Sequence, residues 1–194
     1  MIPREPRFIR GLRRDYTSAP KKISKAYLLG VLHDATERRL TYRVAQKECK
    51  YLEFLSKQLK KIGCKSWIYK EGIDRNLYVI EFSKSKLLLN HFQMSTREDK
   101  VDYIRGYFDA EGGIAKRKNV RYYIYFAQKN YEDLAELRGY LKDVNIECGV
   151  IHNPSYRVDP DYFRFYISSR SYRDFARLIG SWHPTKRHFL RMKI

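Results

Sequence analysis

The chain carries one pattern twice. AYLLGVLHDAT (26–36) and DYIRGYFDAEG (102–112) each run from an aromatic through two residues to a glycine, an apolar pair and an acidic end. Downstream, TYRVAQKECKYLEFLSKQLKKIG (41–63) is echoed by YIYFAQKNYEDLAELRGYLKDVN (123–145), with AQK in both. After each AQK an apolar stripe follows at helical spacing: Leu52, Leu55, Leu59 and Ile62, then Leu134, Leu137, Leu141 and Val144. EFSKS (81–85) loosely matches YISSRS (166–171). A repeat restricts the chain to two like units. At roughly 80–90 residues each, the units are small for domains and should share an interface.

The same order of elements is expected in both halves. In the first, a helix over 25–34 leads to a hairpin ending at Gln46, a helix over 48–62, a hairpin over 65–82 and a helix over 84–93. In the second, a helix over 98–111 leads to a strand pair ending at Gln128, a helix over 130–143, a hairpin over 147–168 and a helix over 171–180. HPTKRHFLRMKI reads as a short tail. Ser95 or Thr96 can cap the helix at 98, with Glu98 and Asp99 in its first turn. The fold class is α+β, two pseudo-symmetric αββαββα halves with antiparallel sheets. Its parts are a basic N-terminal arm (1–23), a first half (24–94), a second half (95–183) and a basic C-terminal tail (184–194).

Charge narrows the partner. Lys and Arg outnumber Asp and Glu by 40 to 22, a net +18, which points to a polyanion. No stretch has the roughly 18 apolar residues of a membrane span, and the N-terminus has no apolar signal region. Nucleic acid is therefore the expected partner, not a membrane, and the expected location is intracellular (cytoplasmic in a prokaryote, or organellar) rather than secreted. Cys49, Cys64 and Cys148 are odd in number and form no CxxC pair, which suits a reducing compartment. The five His show no zinc-ligand spacing.

Alternation in the strand-like runs separates two faces. Tyr122, Ile124 and Phe126 oppose Arg121, Tyr123 and Tyr125; Phe163, Phe165 and Ile167 oppose Tyr162, Arg164 and Tyr166; Ile68 opposes Trp67 and Tyr69. One set suits a core. The other, nearly free of acids, suits an anionic partner. The expected DNA-contacting residues are Arg43, Lys65, Trp67, Tyr69, Arg75, Arg121, Tyr123, Tyr125, Arg164 and Tyr166. The N-terminal arm, with seven Arg/Lys against two acids, is either a disordered tail or a DNA-tracking segment that orders on binding.

The paired segments YLLGVLHDA and YIRGYFDAEGG, each heading a β-β-α-β-β-α run, resemble the LAGLIDADG homing endonucleases in their single-chain, two-motif form, over about residues 24–183. The resemblance implies a DNA-binding saddle of two sheets. It also implies that the motif helices pack side by side at a pseudo-twofold axis, with Gly30 and Gly106 allowing close backbone approach. Asp34 and Glu111 would hold Mg²⁺, or another divalent cation such as Mn²⁺, at the scissile phosphates, with Ala35 and Ala110 beside them in the metal-binding set. Gln46 and Gln128 match the family's polar residues near the active site, although each also simply opens a helix. Lys47 and Lys129 are the leading candidates for a basic catalytic group, ahead of Lys84 and Arg170.

The first motif departs from the pattern: Glu111 lies five residues after Gly106, whereas Asp34 lies four after Gly30, and Thr36 replaces a glycine. Gln46 and Gln128 share parity with the apolar strand positions, so a break in alternation is expected there. His33 either contacts DNA or packs. The implied activity is a site-specific double-strand break in a long DNA target, by metal-dependent phosphodiester hydrolysis. The protein would act as a monomer with no obligate protein partner. The absence of protein-splicing signatures at the chain's ends favours an intron-encoded origin. The alternatives are an RNA-binding intron maturase and a catalytically silent DNA-binding protein on the same scaffold.

Overall fold

Ser24 starts the first helix. Its hydroxyl accepts from the Tyr27 N–H and donates to Asp102 Oδ2 at 2.8 Å, so the cap also ties the two halves together. The structure, a computed structural model, describes residues 20–193 apart from 86, 88 and 118; residues 1–19 of the expected basic arm lie outside them. Helix α1 (Lys25–Val31) tightens into a 3₁₀ turn at Leu32–Asp34 and passes directly into strand β1 (Ala35–Glu37). The second motif helix, α3 (Arg97–Glu111), is capped by Thr96 in a reciprocal box with Asp99. Helices α1 and α3 lie against each other. A Cβ placed on Gly30 would collide with the carbonyl of Tyr103, and one on Gly106 with the carbonyl of Tyr27. Only glycine permits that approach.

Each motif helix carries a sheet. In the first half, β1 is followed by β2 (Thr41–Gln46), α2 (Cys49–Lys61), β3 (Ser66–Lys70) and β4 (Tyr78–Ser83), in antiparallel order β1-β2-β4-β3. Tyr42 and Val44, with Ile80 and Phe82, face Leu52, Leu55 and Leu59 of α2 in one core. The second half has β5 (Gly113–Ile114), β6 (Ile124–Gln128), α4 (Tyr131–Asp143) and β7 (Phe163–Tyr166), in order β5-β6-β7. Its core joins Phe126 and Phe165 to Leu134, Leu137 and Leu141. The antiparallel α+β architecture and the pairing of the motif helices match the expectation.

Four expectations need correction. No helix spans 84–93: the described residues there make turns and a 3₁₀ turn at Leu89–His91. Leu87 and Leu89 are both buried, and a helix would put two residues about 200° apart. The hairpin over 147–168 keeps one proper strand. Residues 147–152 pair with the chain around β7 by two isolated bridges, Cys148↔Ile167 just past its end and His152↔Arg164, while Asn153 folds the chain back by bonding the carbonyls of Asp159 and Pro160. The helix over 171–180 is a 3₁₀ turn, a single α turn α5 (Tyr172–Asp174) and a π turn at Phe175–Ile179. There the Gly180 N–H reaches Phe175 O at 2.9 Å, and the carbonyls of Leu178 and Ile179 accept from Arg105.

The fourth correction moves the tail into the fold. Residues 184–193 form helix α6 (Pro184–Lys193), with Pro184 at its first position, where a missing N–H is harmless. The segment ahead of it crosses between halves. Trp182 packs in the first half's core, its ring 4.5 Å from that of Tyr27 and 6.0 Å from that of Phe54.

Candidate active site

The 3₁₀ turn brings the two motif acids together. Each 3₁₀ step turns about 120° against about 100° in an α-helix, so three such steps recover roughly 60° of the phase lost by one missing residue. Asp34 and Glu111 stand together at the foot of the helix pair, close enough for their carboxyls to interact directly. Burial and the Glu111 charge push the Asp34 carboxyl up to about 7, against the opposing effects of Gln46 and Lys186. Burial raises Glu111 as well. Two half-buried carboxyls this close resist carrying two charges at once, which favours either a proton or a cation between them.

A cleft of about 540 Å³ opens at Asp34, lined also by Gln46, Lys47, Ala110, Lys116 and Lys186. Gln46 donates through Nε2 to Asp34 Oδ2, which fixes that carboxylate. No break in alternation is needed. The β2–β4 register runs unbroken to Gln46↔Tyr78, and Gln46 keeps core-side parity because the foot of the motif helices lies on that side. Gln128 likewise stays in register opposite Phe163, but its Oε1 accepts from the Lys129 N–H at 2.8 Å and does not reach an acid among the described residues.

The remaining expected residues divide. Ala110 lines the cleft, whereas Ala35 sits in β1 opposite Val44. Lys47 is exposed at the cleft; Lys129 is exposed but not among its lining residues. Lys84 is held 2.5 Å from Glu37, and Arg170 is exposed in the 3₁₀ turn after β7. His33 packs: its Nε2 is 2.6 Å from Tyr103 OH, and its Nδ1 is 3.6 Å from Asp133. Arg43, Trp67 and Tyr69 lie on the face of the first sheet away from the core. Tyr123, Tyr125, Arg164 and Tyr166 cluster on the corresponding face of the second. Lys65 precedes β3, Arg75 lies in the β3–β4 loop near Glu71, and Arg121 is exposed before β6. That face is not free of acids: Glu81 stands in its middle.

Sequence reading missed the most enclosed cation of the site. Lys186, in the first turn of α6, donates to the carbonyls of Phe108, Asp109 and Ala110 at 2.6, 2.9 and 3.4 Å, closing the C-terminal end of α3. Burial lowers its ammonium to about 8, opposed by Asp109, Glu111 and Asp34. The segment leading into α6 is held by Asp109 of the motif, whose buried carboxylate accepts from Tyr27 OH, Ser181 Oγ and the Trp182 N–H. Thr185 adds a 2.8 Å bond to Glu48 of the first half. The sequence signals the helix but not the lysine's role: Pro184 followed by Phe189 and Leu190 reads as a helix start.

A divalent cation fits this donor set. Mg²⁺ is usually held by one or two carboxylates, with phosphate oxygens and waters completing its shell. The paired acids and the Ala110 backbone supply hard oxygens. Among the described residues no three His, Cys, Asp or Glu converge as a closed protein cage. The site suits an ion shared with a bound phosphate.

Residues 98–180 match the family model of the LAGLIDADG-like domain. No curated protein matches the chain by sequence. Among solved structures, the homing endonuclease I-DmoI in complex with DNA and Mn is 21% identical, with a TM-score of 0.59 over 80% of this chain and 95% of that one. Mesophilic variants of I-DmoI give 20% identity and a TM-score of 0.62 over 87% and 96%. The N-terminal LAGLIDADG domain of DUF199/WhiA gives 21% and 0.67 over 86% and 88%. These likenesses establish the fold. Among the described residues no helix is long and apolar enough to cross a membrane.

Proposed function

From a chain whose second half is a LAGLIDADG-like domain and whose two halves together have the fold of I-DmoI, we propose a site-specific, divalent-metal-dependent endonuclease that cuts both strands of a long DNA duplex. The observation that carries this reading is the Asp34–Glu111 pair. A buried acid pair with raised carboxyl pKa values weakens a fold unless something binds there. Mg²⁺ or Mn²⁺ held by these acids would neutralise the phosphate and activate water for hydrolysis.

The chain's own residues divide the remaining work. Gln46 orients the Asp34 carboxylate through its amide. Lys186 neutralises the end of α3 and steadies the acids, while Lys47 and Lys116 at the cleft supply positive charge for phosphate. The outward faces of the two sheets, with Arg43, Trp67 and Tyr69 in one half and Tyr125, Arg164 and Tyr166 in the other, would lie along the duplex. We propose that one monomer does this and that the protein is intron-encoded. A second reading, DNA binding without cutting, is favoured by one feature: Lys186 already offsets the acids' charge that a cation would need.

The deciding experiment is incubation of the intron-less form of the host locus with the protein and Mg²⁺, with the intron-bearing form as control. A double-strand break in the first alone is expected, and it should vanish in Asp34→Asn and Glu111→Gln while binding persists. Binding with no cutting under Mg²⁺ or Mn²⁺ would establish the silent reading instead.

A further inference from the structure

Glu81 is an acid on a face that, in the reading above, lies against a polyanion. It sits in the central strand β4, and its parity puts it with Val79 on the outward face, opposite Ile80 and Phe82. Its cross-strand neighbours are Arg43 and Trp67. The carboxylate accepts from Thr41 Oγ1 at 2.6 Å and from Tyr69 OH at 3.4 Å, and Arg38 Nη1 stands 3.8 Å from it. Tyr69 OH in turn accepts from Arg43 Nε at 3.4 Å, and Arg43 also pairs with Glu71. Glu81 is only 8% exposed, so the surrounding donors, not the carboxylate, face outward.

The second half solves the same position differently. In the repeat, EFSKS aligns with YISSRS, which places Tyr166 where Glu81 stands. Around the Tyr166 ring are Tyr125 at 5.9 Å, His152 at 6.0 Å, Tyr123 at 6.1 Å and the Arg164 guanidinium at 5.4 Å. Hydrogen bonds to base edges need donors held at fixed angles, because a misdirected donor does not distinguish one base pair from another. Tyrosine rings packed on one another, with Arg164 lying over the Tyr166 ring, present a contact surface without carboxylate-fixed donors, and such a surface follows backbone and shape, which carry less sequence information. A carboxylate on the DNA-facing side of a sheet repels phosphate, so its presence there needs a compensating role.

We propose that Glu81 is a positioning residue for sequence readout. It orients Thr41, Tyr69 and Arg38, and Arg43 through Tyr69, so that the first half reads its half-site by fixed hydrogen bonds. The Tyr166 cluster holds the other half-site with weaker base preference. This rests on the DNA-cutting reading.

The test is selection from a randomised duplex library by the wild type, Glu81→Gln, Thr41→Val and Tyr166→Ala, with each variant's melting temperature recorded. Glu81→Gln keeps the shape but leaves an amide nitrogen facing donors. It should lose about tenfold in base discrimination over a contiguous set of positions on one side of the selected motif. Its retention on random DNA at low salt should be equal or higher, since a negative charge is gone. Thr41→Val should flatten the same positions less, and Tyr166→Ala should act only on the other side. Unchanged base preferences in Glu81→Gln, or an equal loss on both sides, would overturn the proposal. A wild type that retains no duplex DNA would instead overturn the endonuclease reading, and this inference with it.

Discussion

Asp34 lies one residue short of its counterpart in the second motif and still meets Glu111, because the helix before it winds more tightly. Proton competition follows from that contact. With the Asp34 carboxyl raised to about 7, a cation must displace a proton at any lower pH, so apparent Mn²⁺ affinity should climb as pH rises toward 7 and level off above it. Glu111→Gln removes the neighbouring charge that raises Asp34, so the residual single-site affinity should level off at lower pH. Calorimetric titration between about pH 5 and 9 checks both. The same shift sets a sign for stability. A folded-state carboxyl raised above its ordinary 3.8 makes the fold lose stability as pH rises from about 4 to 7. Asp34→Asn should therefore melt above the wild type at pH 8 and level with it near pH 4. Lys186→Met should act in the opposite sense, costing about 1–3 kcal/mol in stability by taking this donor from the carbonyls of Asp109 and Ala110 at the end of α3. Of these residues the two acids were legible, because a motif marks them. Lys186 was not, since a lysine gains its meaning only from the carbonyls it meets.

At the scale of elements, the motif helices leave no room between their backbones. Gly30→Ala would press a methyl group against Tyr103 O and place it 2.5 Å from Tyr107 N, and a helix backbone cannot yield as a side chain does. The substitution should cost at least the roughly 1–3 kcal/mol of overpacking, read as a lower denaturation midpoint at unchanged slope. Gly139→Ala, on the open side of α4, meets nothing within 4 Å and should be neutral or slightly stabilising. The sequence showed this helix pair clearly because glycine, aromatic and acid recur in step. It showed 84–93 and 171–180 poorly. There, apolar residues at mixed spacing fit a helix on paper, but burial of Leu87 with Leu89 and capture of two carbonyls by Arg105 gave irregular turns. The face occupied by Glu81 was misjudged for a related reason. Alternation assigns a side chain to a face but does not say what it bonds to.

The whole molecule is two halves that cannot be drawn as two separable domains. Duplication made the α+β architecture readable from sequence, but nothing in the repeat announces that Trp182, at the end of the second half, belongs to the first half's core. It lies against Tyr27 and Phe54, with the Arg105 guanidinium 4.5 Å from its ring. Trp182→Ala should cost about 3–5 kcal/mol and loosen both sheets in one transition. Hydrogen exchange of β2 and β4 amides, which belong to the other half, is the measurement that checks it. A chain is made from its N-terminus at about 5–20 residues per second, so the first half leaves the ribosome on the order of ten seconds before Trp182 is added. During that interval its interior lacks a wall. The nascent first half must wait, partly open, until residue 182 of the second has been made.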